Sequence, residues 1–437
     1  MPSRRDFLIL SAGTGALIAI GLTACTQKNV GHVQSATTVT KVFGDGIRLI
    51  AVAVEYPTPV KNADLSAADF KVEGRTVTGV FASTSTDPGD RAEAGRFAIV
   101  TLSPKDADAV LAKKLQPPQA SDGGQSKPAQ DTHGPGNAGN IPTYDTVYKP
   151  ARATLIAPGV GTLTTTTARN LVVDDFRQLE FNDPHTGKTL RYNLFVPKNY
   201  DPGTSYPLVL FMHDAGATSD ITRTTLLQGL GAIAWASPDD QSKRPAFVLA
   251  PQFAEIIADD DSHTSDALDT TIDLIKALSD EYSIDRNRLY ATGQSGGCMM
   301  SIAMDIKYPN FFAATFLVAG QWDPVRVKPL VSQKLWILVS QDDDKAFPGQ
   351  NVLTQALEQE GAKISRASWD GTWTAEQFRA AFDKIDAQDS PINYVTFAKG
   401  TVIPKEDSGS GASGHRNTWR IAYTIEPIRE WIFRQRK

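Results

Sequence analysis

The chain of 437 residues has only two cysteines, Cys25 and Cys298, and only six histidines. So few cysteines exclude a small fold held together by disulfides, and the length is sufficient for two domains with apolar cores. Neither sign of charge dominates, since 44 basic residues stand against 49 acidic ones without a basic stripe. This balance argues against a nucleic-acid partner. No His, Cys or Glu residues have the spacing of metal ligands, so we expect neither a metal nor an organic cofactor.

Long apolar runs are also absent, except near the N-terminus. There a charged start, Met1-Pro-Ser-Arg-Arg-Asp6, precedes an apolar stretch that ends in small residues before Cys25. This order is typical of an export signal rather than of a transmembrane helix. The motif Ser3-Arg-Arg-Asp-Phe-Leu8 resembles the twin-arginine signature, and Leu22-Thr-Ala-Cys25 resembles a bacterial lipobox, in which the cysteine is lipidated.

We therefore expect residues 1–24 to be an export signal and the mature protein to be a lipoprotein facing the periplasm or the cell exterior. It would touch the membrane only through a lipid at Cys25. The alternative is a general secretory signal with an incidental cysteine. Lipidation of Cys25 would leave Cys298 alone, so we expect no intrachain disulfide and interpret Cys298 as a small buried packing residue.

The composition changes along the rest of the chain indicate domains. Residues 25–40 are polar and rich in Ser and Thr, as in a tether. Residues 41–172 show short alternating strands, at 47–56, 70–83, 96–102 and 151–156, separated by Gly, Pro, Asp and Asn. This pattern predicts a small all-β sandwich. Its stretch at about 116–143 is almost without apolar residues and predicts a flexible loop that contains His133. We find no residues in this domain that indicate chemistry.

In residues 173–437, apolar strands alternate with helical stretches, which predicts a mainly parallel sheet covered by helices on both faces. After a hairpin at 179–196, the predicted strands are 208–212, 246–250, 289–292, 314–318, 335–339 and 393–397. The predicted helices include 265–281, 352–360 and a closing helix at 428–435.

The segment Gly293-Gln-Ser-Gly-Gly297 lies between the predicted strand 289–292 and a helix-forming run. This is the G-x-S-x-G nucleophile elbow in its strand-turn-helix context, and it predicts an α/β-hydrolase fold. The tight turn requires a strained backbone at Ser295, and a side chain at Gly293 or Gly297 would collide with its neighbours. A chance match to so short a pattern is the alternative, so the partners of Ser295 must decide.

In this fold the partners follow in the order serine, acid, histidine. Only His415 lies after Ser295 among the histidines, in a glycine-rich loop before the closing helix, where the base must lie. The acid should follow the strand 335–339, and its function is to orient and stabilise the protonated histidine. Three neighbouring candidates stand there, Asp342, Asp343 and Asp344.

The oxyanion hole needs two backbone N–H groups that point at the developing negative charge. We expect one from Gly296, directly after the nucleophile. The other should come from the loop His213-Asp-Ala-Gly-Ala217. We expect His213 itself to pack under this loop and to hydrogen-bond its backbone.

A family resemblance adds to this interpretation. The segments Tyr192-Asn-Leu-Phe-Val-Pro-Lys-Asn-Tyr-Asp-Pro202 and Tyr206-Pro-Leu-Val-Leu-Phe-Met-His-Asp-Ala-Gly216, the elbow, and His415 followed by Trp419 resemble the polyhydroxybutyrate-depolymerase/feruloyl-esterase-like branch of the α/β-hydrolases. The β-domain in front resembles the immunoglobulin-like N-terminal domain of some bacterial secreted esterases.

The resemblance implies Ser295 as nucleophile and His415 as base. It also implies an acid seven residues after the strand tryptophan Trp336, which selects Asp343 over Asp344. The oxyanion loop of the family usually reads His-Gly-x-Gly, whereas Asp214 replaces the first glycine here, and the Ala215 N–H is the expected donor. A carboxylate at this position would oppose the oxyanion unless it points away.

Taken together, these features predict a serine carboxylic-ester hydrolase acting on short-chain or aryl esters, either small or polymeric. A serine peptidase of the prolyl-oligopeptidase type is one alternative, although no propeller repeats are visible. A non-catalytic surface lipoprotein with a hydrolase-like binding domain is another. The segment Gln321-Trp322-Asp323 and Gln252 are either lining residues of the acyl pocket or ordinary loop packing.

Overall fold

The computed structural model describes residues 35–114, 146–405, 409 and 412–437. The predicted export signal over residues 1–24, the predicted lipidation site Cys25 and the predicted loop at 116–143 with His133 lie outside the described residues. Within the described ranges, no helix is both long and apolar enough to cross a membrane.

The first domain is built from three small sheets. The largest has the order β10-β1-β2-β5-β4, with β1 Ser35–Phe43, β2 Gly46–Lys61, β4 Val77–Ser83, β5 Ala94–Leu102 and β10 Thr167–Asn170. The second consists of β3 Lys71–Val72, β8 Thr154–Ala157 and β9 Gly161–Thr164, and the third of β6 Ala112–Lys114 and β7 Thr146–Tyr148. Successive side chains of a strand point to opposite faces, so Ala51 and Ala53 of β2 enter one apolar cluster while Val52 and Val54 enter another.

Two expectations for this domain were wrong in detail. Residues 35–40, assigned from their Ser/Thr content to a tether, form the first part of β1. Threonine is β-branched and favours strands, and its hydroxyl can be satisfied inside: Thr38 donates to Ala151 O at 3.0 Å and Thr40 to Asn170 Oδ1 at 2.8 Å. The stretch 70–83 is two strands rather than one, because Gly74 turns the chain with a φ of +65°.

The second domain contains a nine-stranded sheet in the order β11-β12-β14-β13-β15-β16-β17-β19-β18. Its strands are β11 Arg177–Asn182, β12 Thr189–Phe195, β13 Tyr206–Met212, β14 Phe247–Gln252, β15 Ile284–Gln294, β16 Ala314–Val318, β17 Leu335–Ser340, β18 Ile364–Trp369 and β19 Ile392–Phe397. The pairs β11–β12 and β12–β14 are antiparallel, and all other neighbours are parallel.

Helices cover both faces of this sheet, as predicted. They are α1 Thr224–Leu227, α2 Leu230–Ala236, α3 Pro238–Lys243, α4 Ala267–Glu281, α5 Gly296–Lys307, α6 Ala346–Gln359, α7 Ala375–Asp386, α8 Ser413–Ala422 and α9 Glu426–Arg434. Leu208 and Leu210 of β13 pack with α4, α5 and α6, whereas Val209 and Phe211 pack with α2, α7, α8 and α9. The apolar cluster that contains Val209 and Phe211 continues into the core of the first domain.

The edge strand β18 and the helix α8 were not predicted. Only part of β18 is buried, because as an edge strand it has a neighbour on one side alone. The helix α6 begins at Ala346 rather than at 352. Its Pro348 and Gly349 look like helix breakers, but proline is tolerated in a first turn because its missing N–H would have no partner there.

Candidate active site

Ser295 lies at the sharp turn between β15 and α5, with φ 53° and ψ −118°. Its N–H donates to Val318 O at 3.0 Å, which ties the turn to the neighbouring strand. A Cβ on Gly293 would lie 2.3 Å from the carbonyl carbon of Gly297, and one on Gly297 would lie 2.1 Å from Met212 O. The strain at Ser295 and the need for both glycines therefore agree with the elbow predicted from sequence.

The structure brings Ser295, His415 and Asp343 together. His415 Nε2 lies 2.9 Å from Ser295 Oγ, and His415 Nδ1 lies 2.5 Å from Asp343 Oδ2. The other carboxylate oxygen, Asp343 Oδ1, accepts from the N–H groups of Ala346 at 2.8 Å and Lys345 at 3.2 Å. An ionised Asp343 therefore holds the tautomer with a proton on Nδ1, which leaves Nε2 free to accept from the serine hydroxyl.

The electrostatics of this acid match that arrangement. Burial pushes the pKa of the Asp343 carboxyl up, but the hydrogen bond and charge of His415, with the N–H groups of Ala346 and Lys345, hold the pKa below its ordinary value. Of the other two candidates, Asp342 accepts from Gly400 N at 2.7 Å and Asp344 is exposed.

His415 lies in the first turn of α8 rather than in the predicted loop. The glycine-rich segment before it suggested an irregular chain, but Trp419 and Ala422 give the following turns an apolar face that packs inward. Trp419 lies one turn later and meets the imidazole edge-on, with ring centroids 4.8 Å apart. A Cβ on Gly414 would lie 2.2 Å from Asp342 O, so α8 begins in close contact with the acid loop.

Two free N–H groups lie beside the serine. The helix α5 begins at Gly296, and a short 3-10 turn spans Ala215–Ala217. A Cβ built on Gly296 would lie 3.8 Å from Ala215 N. Within the described ranges neither the Gly296 nor the Ala215 N–H has an acceptor, so both are open to a ligand.

Asp214 begins this 3-10 turn, and both of its carboxylate oxygens are hydrogen-bonded. Oδ1 accepts from Gly216 N at 2.8 Å, and Oδ2 accepts from Gln294 Nε2 at 2.8 Å. His213 is buried below, where Nδ1–H donates to Asp214 O at 2.7 Å and Nε2 accepts from Phe253 N at 3.0 Å. The expectation that His213 packs under this loop and bonds its backbone is confirmed.

A cavity of about 410 Å³ opens over Ser295 and is lined by both domains. The first domain contributes the tip of its first hairpin and residues from β6 and β7: Gly44, Asp45, Gly46, Ala112, Thr146 and Tyr148. A Cβ on Gly44 would lie 2.7 Å from Arg420 O, so the absence of a side chain allows the hairpin to approach α8. Sequence reasoning missed this contribution, because these scattered positions approach the serine only in the folded chain.

The candidate pocket residues have different surroundings. Gln321 lines the cavity, with its Nε2 bonded to Asp260 Oδ1 at 2.9 Å, whereas Trp322 belongs to the core. Asp323 caps the turn that follows it by accepting from Val325 N at 3.0 Å. Gln252 is buried below the oxyanion loop, where it accepts from Thr225 N at 2.7 Å and donates to Ala217 O at 2.8 Å. Gln252 and Asp323 are therefore loop packing.

Cys298 is fully buried behind the elbow, and burial raises the pKa of its thiol. It packs as a small apolar residue, as expected from sequence.

Among the residues that the structure describes, two groups of carboxylates with a histidine are close enough together to hold a cation: Asp183, His185 and Asp273, and Asp259, Asp261 and His263. In each, the histidine Nδ1 bonds a carboxylate, at 3.0 Å to Asp273 and at 3.1 Å to Asp259. Sequence spacing gave no sign of the first group, whose members come from two distant segments. Neither group includes a member of the Ser295 site.

Comparisons with known proteins agree with this architecture. Residues 35–155 match the family model of the esterase Ig-like N-terminal domain. The crystal structure of a thermostable esterase, 25% identical, superposes with a TM-score of 0.73 over 93% of this chain and 100% of that chain. A mutant of the feruloyl esterase module from Clostridium thermocellum, complexed with sinapinate, is 13% identical, with a TM-score of 0.39 over 58% of this chain and 87% of that chain, which is too distant to bear on activity. No curated protein matches the chain significantly. The chain thus joins an esterase-type immunoglobulin-like domain to an α/β-hydrolase domain.

Proposed function

We propose that this α/β-hydrolase with its esterase-type immunoglobulin-like domain is a serine carboxylic-ester hydrolase. The observation that supports it most is the continuous hydrogen-bond chain from Asp343 through His415 to Ser295. It combines a nucleophile, a base and an orienting acid, which together are the requirement for acyl transfer by a serine.

Acylation would begin at the serine hydroxyl. His415 Nε2 takes the proton as Ser295 Oγ bonds to the ester carbonyl carbon, and the carbonyl oxygen becomes negative. Asp343, held ionised, stabilises the imidazolium that forms. The N–H groups of Gly296 and Ala215 would donate to the oxyanion, because they lie beside Ser295 without acceptors of their own.

Collapse of this intermediate breaks the bond to the alcohol, which leaves with the proton from His415. His415 then takes a proton from water as the water oxygen attacks the acyl-enzyme carbon. When this second intermediate collapses, the bond from the carbon to Ser295 Oγ breaks, His415 returns the proton to Oγ, and the acid is released. The cavity of about 410 Å³ is near the lower end of ligand pockets, roughly 300–1,000 Å³, and favours short acyl or aryl groups.

The experiment compares hydrolysis of 4-nitrophenyl acetate, butyrate and octanoate by the wild-type chain and by Ser295→Ala. We expect turnover that falls with chain length and that drops by several orders of magnitude, about 10³ or more, in the variant. Ser279→Ala, whose hydroxyl only bonds Ile275 O in α4, is the matched control and should keep full activity.

Two further measurements separate the alternatives. A fluorophosphonate should add a covalent mass to Ser295 alone, and an aminoacyl anilide should not be cleaved. Ester turnover that survives in Ser295→Ala would refute the proposal. Preferential cleavage of the anilide would favour a peptidase, and failure of the wild type with both substrates and the probe would favour a binding module.

A further inference from the structure

One polar group in the cavity over Ser295 is left without a partner. Gln228 follows α1 and lines this cavity, and its Nε2 atom is buried with no hydrogen-bond partner among the described residues. Of the side chains in the described ranges that have such an unpartnered buried atom, Gln228 is the one that lines the cavity. Since buried donors are normally paired, this one is suited to an acceptor on a ligand.

A neighbour determines the orientation of the Gln228 amide. Gln294 Nε2 donates to Asp214 Oδ2 at 2.8 Å and lies 3.5 Å from Gln228 Oε1. If the Gln228 amide were reversed, two NH₂ groups would face each other. The oxygen of Gln228 is therefore turned toward Gln294, so the NH₂ group is the unpartnered end of this cavity-lining side chain.

The first domain brings a second donor to the same cavity. Tyr148 of β7 is partly buried and lines the same cavity, and its hydroxyl has no hydrogen-bond partner among the described residues. Burial, and then the negative charge of Asp214, raise the pKa of the Tyr148 hydroxyl. The hydroxyl therefore keeps its proton and can donate it in a hydrogen bond.

We propose that Gln228 and Tyr148 form a subsite that binds a neutral oxygen atom of the substrate, a hydroxyl or an ether, in addition to the scissile ester. The subsite rests on the proposed ester hydrolysis at Ser295. Both groups donate, so the ligand atom must accept. The carboxylate of Asp214 acts on Tyr148 through its charge and accepts from Gln294, the neighbour of Gln228. It therefore disfavours an anionic ligand, and a neutral oxygen is the remaining common acceptor.

The oxygen can belong to the acyl chain or to the alcohol, and two pairs of isosteric esters distinguish these sources. The acyl pair is 4-nitrophenyl butyrate and 4-nitrophenyl methoxyacetate, which differ by one CH₂ replaced by O. The alcohol pair is butyl butyrate and 2-methoxyethyl butyrate. Division of each kcat/KM by the rate of hydroxide-catalysed hydrolysis removes the intrinsic difference in reactivity within a pair.

The variants are Gln228→Met and Tyr148→Phe, which remove one donor each at similar volume. Gln333→Met is the matched control, because Gln333 also carries a buried, unpartnered Nε2 but lies outside the residues that line the cavity. The two test positions belong to different domains, so poor folding of one variant still leaves the other as a test.

We expect the wild type to prefer the oxygen-bearing member of one pair by about tenfold, the effect of one gained hydrogen bond. Most of this preference should disappear in Gln228→Met and Tyr148→Phe, whereas Gln333→Met keeps it and the plain esters react at similar rates throughout. The subsite is refuted if the wild type hydrolyses plain esters without any preference, or if the preference survives in both variants. Absence of all ester turnover would instead refute the proposed function, and the subsite with it.

Discussion

Gln294 Nε2 donates a hydrogen bond of 2.8 Å to Asp214 Oδ2, so the residue before the nucleophile holds the carboxylate of the oxyanion loop. The other oxygen of this carboxylate caps the 3-10 turn through Gly216 N. An acid at this position would oppose a developing oxyanion if it were free to turn toward it. The two hydrogen bonds keep it in place and leave the Ala215 N–H unpaired.

The first prediction concerns this pair. Gln294→Leu should lower kcat by about tenfold with little change in KM, because a released carboxylate opposes charge that exists only in the transition state. Asp214→Asn keeps an acceptor for Gly216 N–H and removes the charge, and reversal of the Gln294 amide restores the second hydrogen bond, so this variant should be tolerated. The double variant should then be close to Asp214→Asn, with a coupling of about 1 kcal/mol or more.

Steady-state kinetics on 4-nitrophenyl butyrate measure this cycle, and Gln294→Glu provides a stricter comparison. It places a second carboxylate beside Asp214 and should be slower than Gln294→Leu at neutral pH. Equal kcat values for wild type and Gln294→Leu would show that the hydrogen bond does not position the loop.

The second prediction concerns the buried histidine under that loop. Burial lowers the pKa of His213, against the raising effects of its hydrogen bond to the Asp214 backbone and of the Asp214 charge. Below pH 6.5, the ordinary pKa of histidine, this residue binds a proton in the unfolded chain but not in the folded chain. Stability should therefore fall with pH from about 6.5 downward, by up to about 1.4 kcal/mol for each pH unit from this group.

Urea unfolding between pH 5 and pH 7.5 tests this prediction. His213→Gln should be less stable than wild type at pH 7.5 but should show a flatter decline in the free energy of unfolding toward pH 5. The same slope in His213→Gln as in wild type would show that another group is responsible.

Local sequence was sufficient for the parts of the site that depend on chain order. The elbow occupies five consecutive residues, and the position of His415 after Ser295 left one histidine to consider. The family spacing from Trp336 pointed to Asp343, and the structure places that residue, rather than Asp342 or Asp344, against His415.

The rest depends on contacts between distant segments, which leave no local pattern. Gly44 and Tyr148 reach the cavity because the first domain packs against α8 and the turn between α1 and α2, and neither residue lies in a motif. Gln228 follows a short helix and belongs to no sequence motif. Its amide is oriented by Gln294, which comes from a distant segment of the chain. Residues 35–40 were misassigned because threonine is common both in solvated tethers and in strands, and only the pairing with β2 distinguishes the two.

The last prediction concerns a buried acid on α5, the helix that begins at the elbow. Burial raises the pKa of Asp305 to about 7, against the lowering effect of its hydrogen bond with Thr315, and its Oδ2 has no partner among the described residues. Between pH 3.8, the ordinary pKa of aspartate, and about pH 7, Asp305 keeps a proton in the folded chain that it releases in the unfolded chain. Stability should therefore decrease as pH rises through this range, and the penalty is complete above about 7.

Asp305→Asn removes this ionisation and should stabilise the chain at pH 8, on the order of 2–4 kcal/mol, since one pKa unit corresponds to about 1.36 kcal/mol. The gain should be clearly smaller at pH 5. Asp269→Asn is the control with the opposite sign: burial raises the pKa of Asp269, but Lys307 and Tyr308 lower it overall, so losing its charge should destabilise the chain at pH 8. Urea unfolding at pH 5 and pH 8 measures the free energy of unfolding of the wild type and both variants. A stability gain in Asp305→Asn that is the same at both pH values would mean that Asp305 does not titrate in this range.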